Sequence, residues 1–262
     1  MNKAATALVL VIGIVVGLGA GFVVFGGPRS TAIMESIQAR GYILVGTNTP
    51  YPPFEIYNST SQKFEGFEIE LMERVAHQLG LTVQWRDMDF GALIGACRGG
   101  TVDVIIAALF LDPERTRQIP ATMPYLSMDE VVVVKNASTL TISALSDLNG
   151  KVVGVQTGTV EDQELTEIND AGGTIDIRRY AAADLMFQDL DSGILDALYI
   201  DEPVFKVYSK VYSIKTIFAV EAPPVCAYVR PDGTDLLGAI NLVLYKLLVN
   251  GTITSLIDKY FV

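Results

Sequence analysis

The stretch RGGTVDVIIAAL, residues 98–109, decides the fold, because a second stretch repeats its pattern in the other half of the chain. Gly100 is followed three residues later by Asp103 and then by an apolar run. In DSGILDALYID, residues 191–201, Gly193, Asp196 and another apolar run repeat that order. A shorter echo links GYILVG at 41–46 with GKVVGV at 150–155. Each half therefore has an opening strand and a later helix-Gly-x-x-Asp-strand unit, and the roughly 235 residues after the N-terminal apolar run suit two lobes of about 100 residues each.

Around these units strands and helices alternate, which predicts α/β layers with mostly parallel sheets. A strand is expected at 43–47 and a helix at 67–79, where Phe67, Leu71, Val75 and Leu79 recur at four-residue spacing. A second strand is expected at 83–86, a helix at 90–98 and a late apolar helix at 236–248. Residues 102–111 are almost uninterrupted apolar, the pattern of a strand covered on both faces.

The chain has 262 residues and a formal net charge of −11, which excludes a non-specific nucleic-acid binder, since phosphate contacts need clustered Lys and Arg. Its mean hydropathy of +0.37 owes much to residues 4–27, which carry no charge. By length that run reads as a membrane span and by position as an export signal; an uncleaved signal anchor is favoured over a cleaved peptide, with Lys3 on the cytoplasmic side and the body exported. Cys97 and Cys226 do not make a disulfide framework and read as small buried hydrophobes. The single histidine, His77, leaves no basis for a His-based triad or metal cluster, and no phosphate-binding G-x-x-x-x-G-K-S/T loop occurs.

Two acidic motifs carry the candidate chemistry. In LFLDPERT, residues 109–116, Asp112 is a favoured N-cap and Pro113 suits the first helical turn. Arg115 places a positive charge beside the positive helix end. Either an anion binds there, or Arg115 pairs with Asp112 or Glu114 at the surface. In LYIDEP, residues 198–203, Asp201 ends an apolar strand, where ligands of parallel sheets bind, although an aspartate before Pro203 also serves as a helix cap. Tyr51, Phe90 and Phe110 follow strands or open helices in the same way, and together they form an aromatic box if they converge; Phe54 reads as core.

Taken in order, GYILVGTNTPYPPFE (41–55), GFEIELMERVAHQLG (66–80), MDFGALIGACRGGTVDVIIAALFLDPERTRQI (88–119), LNGKVVGVQTGTVED (148–162) and LDSGILDALYIDEP (190–203) resemble the polar-amino-acid family, family 3, of extracytoplasmic solute-binding proteins that serve ABC importers. The resemblance implies a type II periplasmic-binding-protein fold: two α/β lobes, each a mostly parallel sheet flanked by helices, a two-strand hinge, and a hydrophobic N-terminal helix. It places residues 1–30 as the signal or anchor, 31–124 with 226–262 as lobe 1, and 125–225 as lobe 2, with crossings near 124–128 and 221–225. It implies that Arg115 holds a ligand α-carboxylate, helped by backbone N–H groups near Ala108 and Phe110, that Asp201 takes the α-ammonium, and that Tyr51 and Phe90 flank the ligand. Asn48, Gln156, Thr159 and Ile200 fall where family members contact the ligand side chain or the edge of lobe 2.

Two departures bear on the solute. Phe110 stands where many amino-acid binders have Ser or Thr, which resembles branches that bind compatible solutes such as ectoine. Asn48 is neutral where binders of basic amino acids often have an acid. The expectation is a neutral amino acid or a compact zwitterion, bound without turnover, cofactor or metal and delivered to a permease and its ATPase by a monomeric body. The scaffold also resembles the cyclohexadienyl dehydratases, in which an acid in the cleft is catalytic.

Overall fold

The computed structural model describes residues 33–261. The signal or anchor expected at 1–30 lies outside them, and among the described residues no single helix is long and apolar enough to cross a membrane.

In chain order the elements are α1 (Ile33–Arg40), β1 (Tyr42–Thr47), β2 (Ile56–Asn58), β3 (Lys63–Glu65), α2 (Phe67–Gln78), β4 (Thr82–Asp87), α3 (Phe90–Arg98), β5 (Val104–Ile105), α4 (Pro113–Thr116) and β6 (Asp129–Lys135). There follow β7 (Val152–Gln156), α5 (Val160–Asp170), β8 (Asp176–Tyr180), α6 (Ala183–Ser192), β9 (Ala197–Asp201), α7 (Glu202–Tyr208), β10 (Ile214–Glu221), β11 (Tyr228–Val229), α8 (Thr234–Val249) and α9 (Thr252–Tyr260).

Two sheets carry the two lobes. The first has the order β11-β5-β1-β4, with β1 parallel to β4 and β5 and only β11 antiparallel. The second has the order β10-β6-β9-β7-β8; β7 runs parallel to β8 and β9, whereas β6 runs antiparallel to β9 and β10. Between the sheets two chain segments run side by side: Val225 N–H donates to Leu126 O at 2.8 Å, and Tyr125 N–H donates to Val225 O at 3.0 Å.

The echo that decided the fold has a common physical task in both lobes. Gly100 and Gly193 turn the chain after a helix with φ of 72° and 81°, a left-handed conformation in which a Cβ is strained. Three residues on, Asp103 Oδ2 accepts the Leu44 N–H of β1 at 2.8 Å, and Asp196 Oδ2 accepts the Val152 N–H of β7 at 2.9 Å. In return the Asp103 and Asp196 N–H groups donate to Leu44 O and Val152 O. Each aspartate thus locks its lobe's opening strand to the strand that follows the glycine.

The long strand expected at 102–111 is corrected by the structure. Only Val104 and Ile105 pair as a strand, and from Ala107 onward the buried chain turns, with Ala108 at φ 48° and Phe110 bridged singly to Val225. An uninterrupted apolar run reports burial on both sides, which both a strand and a buried irregular segment satisfy. The helices at 67–79, 90–98 and 236–248 form close to their expected bounds. Phe54 is fully buried and packs edge-on against Phe67 and Phe261, as core. Cys97 and Cys226 are free thiols, both buried.

Candidate functional site

The carboxyl ends of β1, β5, β7 and β9 face one another across a narrow cavity. Tyr51 follows β1, Ala108 and Phe110 follow β5, Gln156 ends β7 and Asp201 ends β9; all five line the cavity, with Phe90 from the start of α3, Arg115 from α4 and Thr159 from the cap of α5.

Local chemistry places Arg115. The Asp112 carboxylate accepts the Arg115 backbone N–H at 2.8 Å and caps α4, whose first residue is Pro113. The side chain then turns inward and is only 8% exposed. Its guanidinium lies 5.5 Å from the centre of the Phe90 ring and donates to Phe110 O at 3.4 Å and to Gly158 O at 3.3 Å. Pairing with Asp112 or Glu114 at the surface does not occur: the Asp112 side chain is the cap, and Glu114 meets Arg117 at 3.8 Å. Two long bonds to carbonyls leave most of the five guanidinium donors for an anion.

Asp201 is 3% exposed and makes no helix-capping bond. Its Oδ2 accepts the Tyr51 hydroxyl at 2.7 Å, while its Oδ1 is buried without a hydrogen-bond partner among the described residues. Burial, followed by the nearby Glu161 charge, holds its pKa well above the usual carboxylate range, against the opposing pull of the Tyr51 bond and Arg115. An unpaired buried carboxylate oxygen is expensive and is stabilised by a cation.

The remaining expected residues divide by what already occupies them. Gln156 Nε2 donates to Asn48 Oδ1 at 2.6 Å and to Ala181 O at 3.2 Å, and Asn48 Nδ2 donates to Met88 O at 2.8 Å. Asn48 therefore stands behind the cavity as a bridge between the lobes. Thr159 Oγ1 caps α5 by accepting the Asp162 N–H at 3.3 Å and donates to Gln156 O at 3.0 Å. The Ala108 N–H donates to Glu68 Oε2 at 2.8 Å. Ile200 is buried in the core, since it alternates with Asp201 along β9, and it does not line the cavity.

Glu68 belongs to a buried acidic pair. It also accepts the Tyr125 hydroxyl, while both carboxyl oxygens of the neighbouring Glu55 are buried without a hydrogen-bond partner among the described residues. Burial pushes Glu68 up to about 7, against the bonds from Tyr125 and Ala108; burial and then the Glu68 charge push Glu55 well above its ordinary value.

Sequence reasoning missed Glu161. It lies in the first turn of α5, is 3% exposed and lines the cavity, and burial raises its pKa to about 7. The only signal was an acid beside a helix N-terminus, which the helix dipole explains without a site. A larger open groove outside the cleft, beside Phe64, Ile69 and Tyr260, is a weaker candidate because its Glu70 is already bonded to Lys259, Arg74 and Tyr260.

The profile of the family described as bacterial extracellular solute-binding proteins, family 3, matches residues 43–262. The chain is 30% identical over 225 residues to the arginine-binding extracellular protein ArtP of Bacillus subtilis (strain 168), covering 84% of this chain and 86% of the relative. It is 28% identical to the L-cystine-binding protein TcyJ of Escherichia coli (strain K12), covering 87% and 86%. Its structure superposes on the ancestral amino acid-binding protein AncCDT-1, a precursor of cyclohexadienyl dehydratase, with a TM-score of 0.81 at 27% identity, covering 88% of this chain and 100% of that one.

Proposed function

The chain belongs to the bacterial extracellular solute-binding proteins, family 3, and from that premise we propose that it binds one amino acid in the cavity between its lobes and presents it to an ABC importer. The observation that carries this reading is the polarity of the cavity. Arg115 faces it with donors to spare, and the buried Oδ1 of Asp201 faces it without a partner. A carboxylate on the first and an ammonium on the second describe an amino-acid zwitterion. The relatives' substrates, arginine and cystine, share that headgroup and differ in the side chain.

Calorimetry with a panel of amino acids tests the reading. Arg115→Ala and Asp201→Ala are each expected to weaken binding by about 3 kcal/mol, as when one partner of a desolvated charge pair is removed. Normal binding by either variant overturns the site. In the same reading the lobes divide at 31–124 with 226–262 against 125–225, the body is a monomer, and residues 1–30 hold it at the outer face of the cytoplasmic membrane, which fractionation of cells expressing the chain tests.

The reading is of binding without turnover. One observation favours a second reading, an exported dehydratase: Glu161 is a cavity carboxyl whose pKa of about 7 suits proton transfer near neutral pH. Turnover of prephenate or arogenate that is lost in Glu161→Gln would establish it.

A further inference from the structure

Glu68 lies beside the cavity without lining it. It is the second residue of α2 and is fully buried. Its carboxyl turns onto two other segments: Oε2 accepts the Ala108 N–H at 2.8 Å, and Oε1 accepts the Tyr125 hydroxyl. The helix dipole accounts for an acid in a first turn, but not for one that is buried and bonded away from its own helix. A carboxyl in such surroundings is costly unless its oxygens have donors. The neighbouring Glu55 cannot share the task, since neither of its carboxyl oxygens has a partner among the described residues.

Both segments bear on binding. Ala108 has φ 48°, a left-handed conformation that is strained for alanine and persists only where its surroundings enforce it. Two residues on, the Phe110 carbonyl accepts the Arg115 guanidinium at 3.4 Å and the Tyr228 hydroxyl at 2.7 Å, so the turn at Ala108 governs where Arg115 is held. The same loop is bonded to one of the paired segments between the sheets: Cys226 N–H donates to Leu109 O at 2.9 Å, and Leu111 N–H donates to Pro224 O at 2.8 Å. Tyr125 belongs to the other paired segment. Glu68 therefore joins the Ala108 loop to that second segment through its two oxygens. The Ala108 N–H, being committed to Glu68, does not serve a solute's carboxylate.

Resting on the amino-acid reading above, we propose that Glu68 is a positioning residue for solute binding. It holds Ala108 in its left-handed turn against the segment between the sheets, and so presents Arg115 to the solute's carboxylate without touching the solute.

The test is a double-mutant cycle read by calorimetry. The full chain is titrated with the common L-amino acids and L-cystine, each alone, and the tightest binder is then used with the variants. Glu68→Leu roughly keeps the size of the side chain and removes both acceptors, so affinity is expected to fall at least about tenfold. Glycine adopts the left-handed turn without strain. Ala108→Gly is therefore expected to raise the affinity of Glu68→Leu by at least about threefold more than it changes that of the wild type. Glu68→Gln is expected to keep at least about a third of the wild-type affinity, because its amide oxygen accepts the Ala108 N–H and its amide nitrogen donates to the Tyr125 oxygen. A merely structural Glu68 gives additive effects in the cycle, and additivity overturns the proposal. So does unchanged affinity in Glu68→Leu, or a loss in Glu68→Gln as deep as in Glu68→Leu. If Glu68→Leu does not fold, the cycle is run with Glu68→Asp, one methylene too short to reach both partners, and additive effects overturn the proposal in the same way. A wild-type protein that binds no amino acid loses the amino-acid reading and this inference with it, whereas one that binds an amino acid with additive effects in the cycle loses only this inference.

Discussion

The Tyr51 hydroxyl donates to Asp201 Oδ2 across the cleft, and this single bond both orients the acid and links the lobes. Tyr51→Phe removes the donor and keeps the ring, so amino-acid affinity is expected to fall by about 1 kcal/mol in calorimetry, with little change in the order of preferred solutes. Unchanged affinity would show that Asp201 needs no such orientation. At this scale, what could be read from sequence was what the chain fixes locally. The Asp112 cap and Pro113 follow from three adjacent residues. The neighbours of Arg115 come from Phe90 and Gly158, far apart in the chain, so sequence left its pairing open. Glu161 was illegible for the opposite reason, since an acid in a first helical turn already has an ordinary explanation.

Among the elements, the paired aspartates of the two lobes do the same work in different surroundings. Asp103 is 1% exposed and also pairs with Arg40 and Arg230, whereas Asp196 is exposed. Asp103→Ala takes the carboxylate from part-buried Arg40 and one of two carboxylates from Arg230, which keeps Asp232, and is expected to cost about 3 kcal/mol, against about 1 kcal/mol for Asp196→Ala, by urea denaturation. Equal losses would mean that the bond to the opening strand is all that either contributes. The Gly-x-x-Asp echo was legible because a left-handed turn and a strand-locking acid demand those residue types at fixed spacing. The irregular chain after Ile105 was not legible, because its apolar side chains are those of a buried strand.

The second sheet holds a further acid whose proton matters. The Tyr199 hydroxyl lies 2.6 Å from both Glu130 Oε2 and Glu164 Oε2, yet a phenol donates only one proton, so the second contact needs a protonated carboxyl. Burial, then the Glu161 charge, raises Glu130 to about 10, while the Tyr199 bond opposes them. The folded state thus keeps a proton that the unfolded chain releases above its ordinary carboxylate range. This contribution is complete at low pH and is lost as pH climbs from about 4.5 toward about 10. Glu130→Gln is expected to flatten the decline in stability over that window by up to about one proton, measured by denaturation across pH. An unaltered slope would place the proton elsewhere.

Among the described residues, three side-chain bonds span the lobes at the cavity: Tyr51 to Asp201, Gln156 to Asn48, and Arg115 to Gly158. A solute gripped by Arg115 and Asp201 adds a fourth link, and that added affinity is what favours the closed arrangement over an open one. The two-lobe architecture was legible because each lobe repeats one strand-helix-strand logic, while the way the halves meet depends on contacts between distant segments. The most direct test of the account is a crystal structure of the protein with its tightest-binding amino acid. The account predicts the α-carboxylate on the Arg115 guanidinium and the α-ammonium on Asp201 Oδ1, both within hydrogen-bond distance. A solute bound the other way round, or seated in the outer groove beside Phe64 and Tyr260, would contradict it.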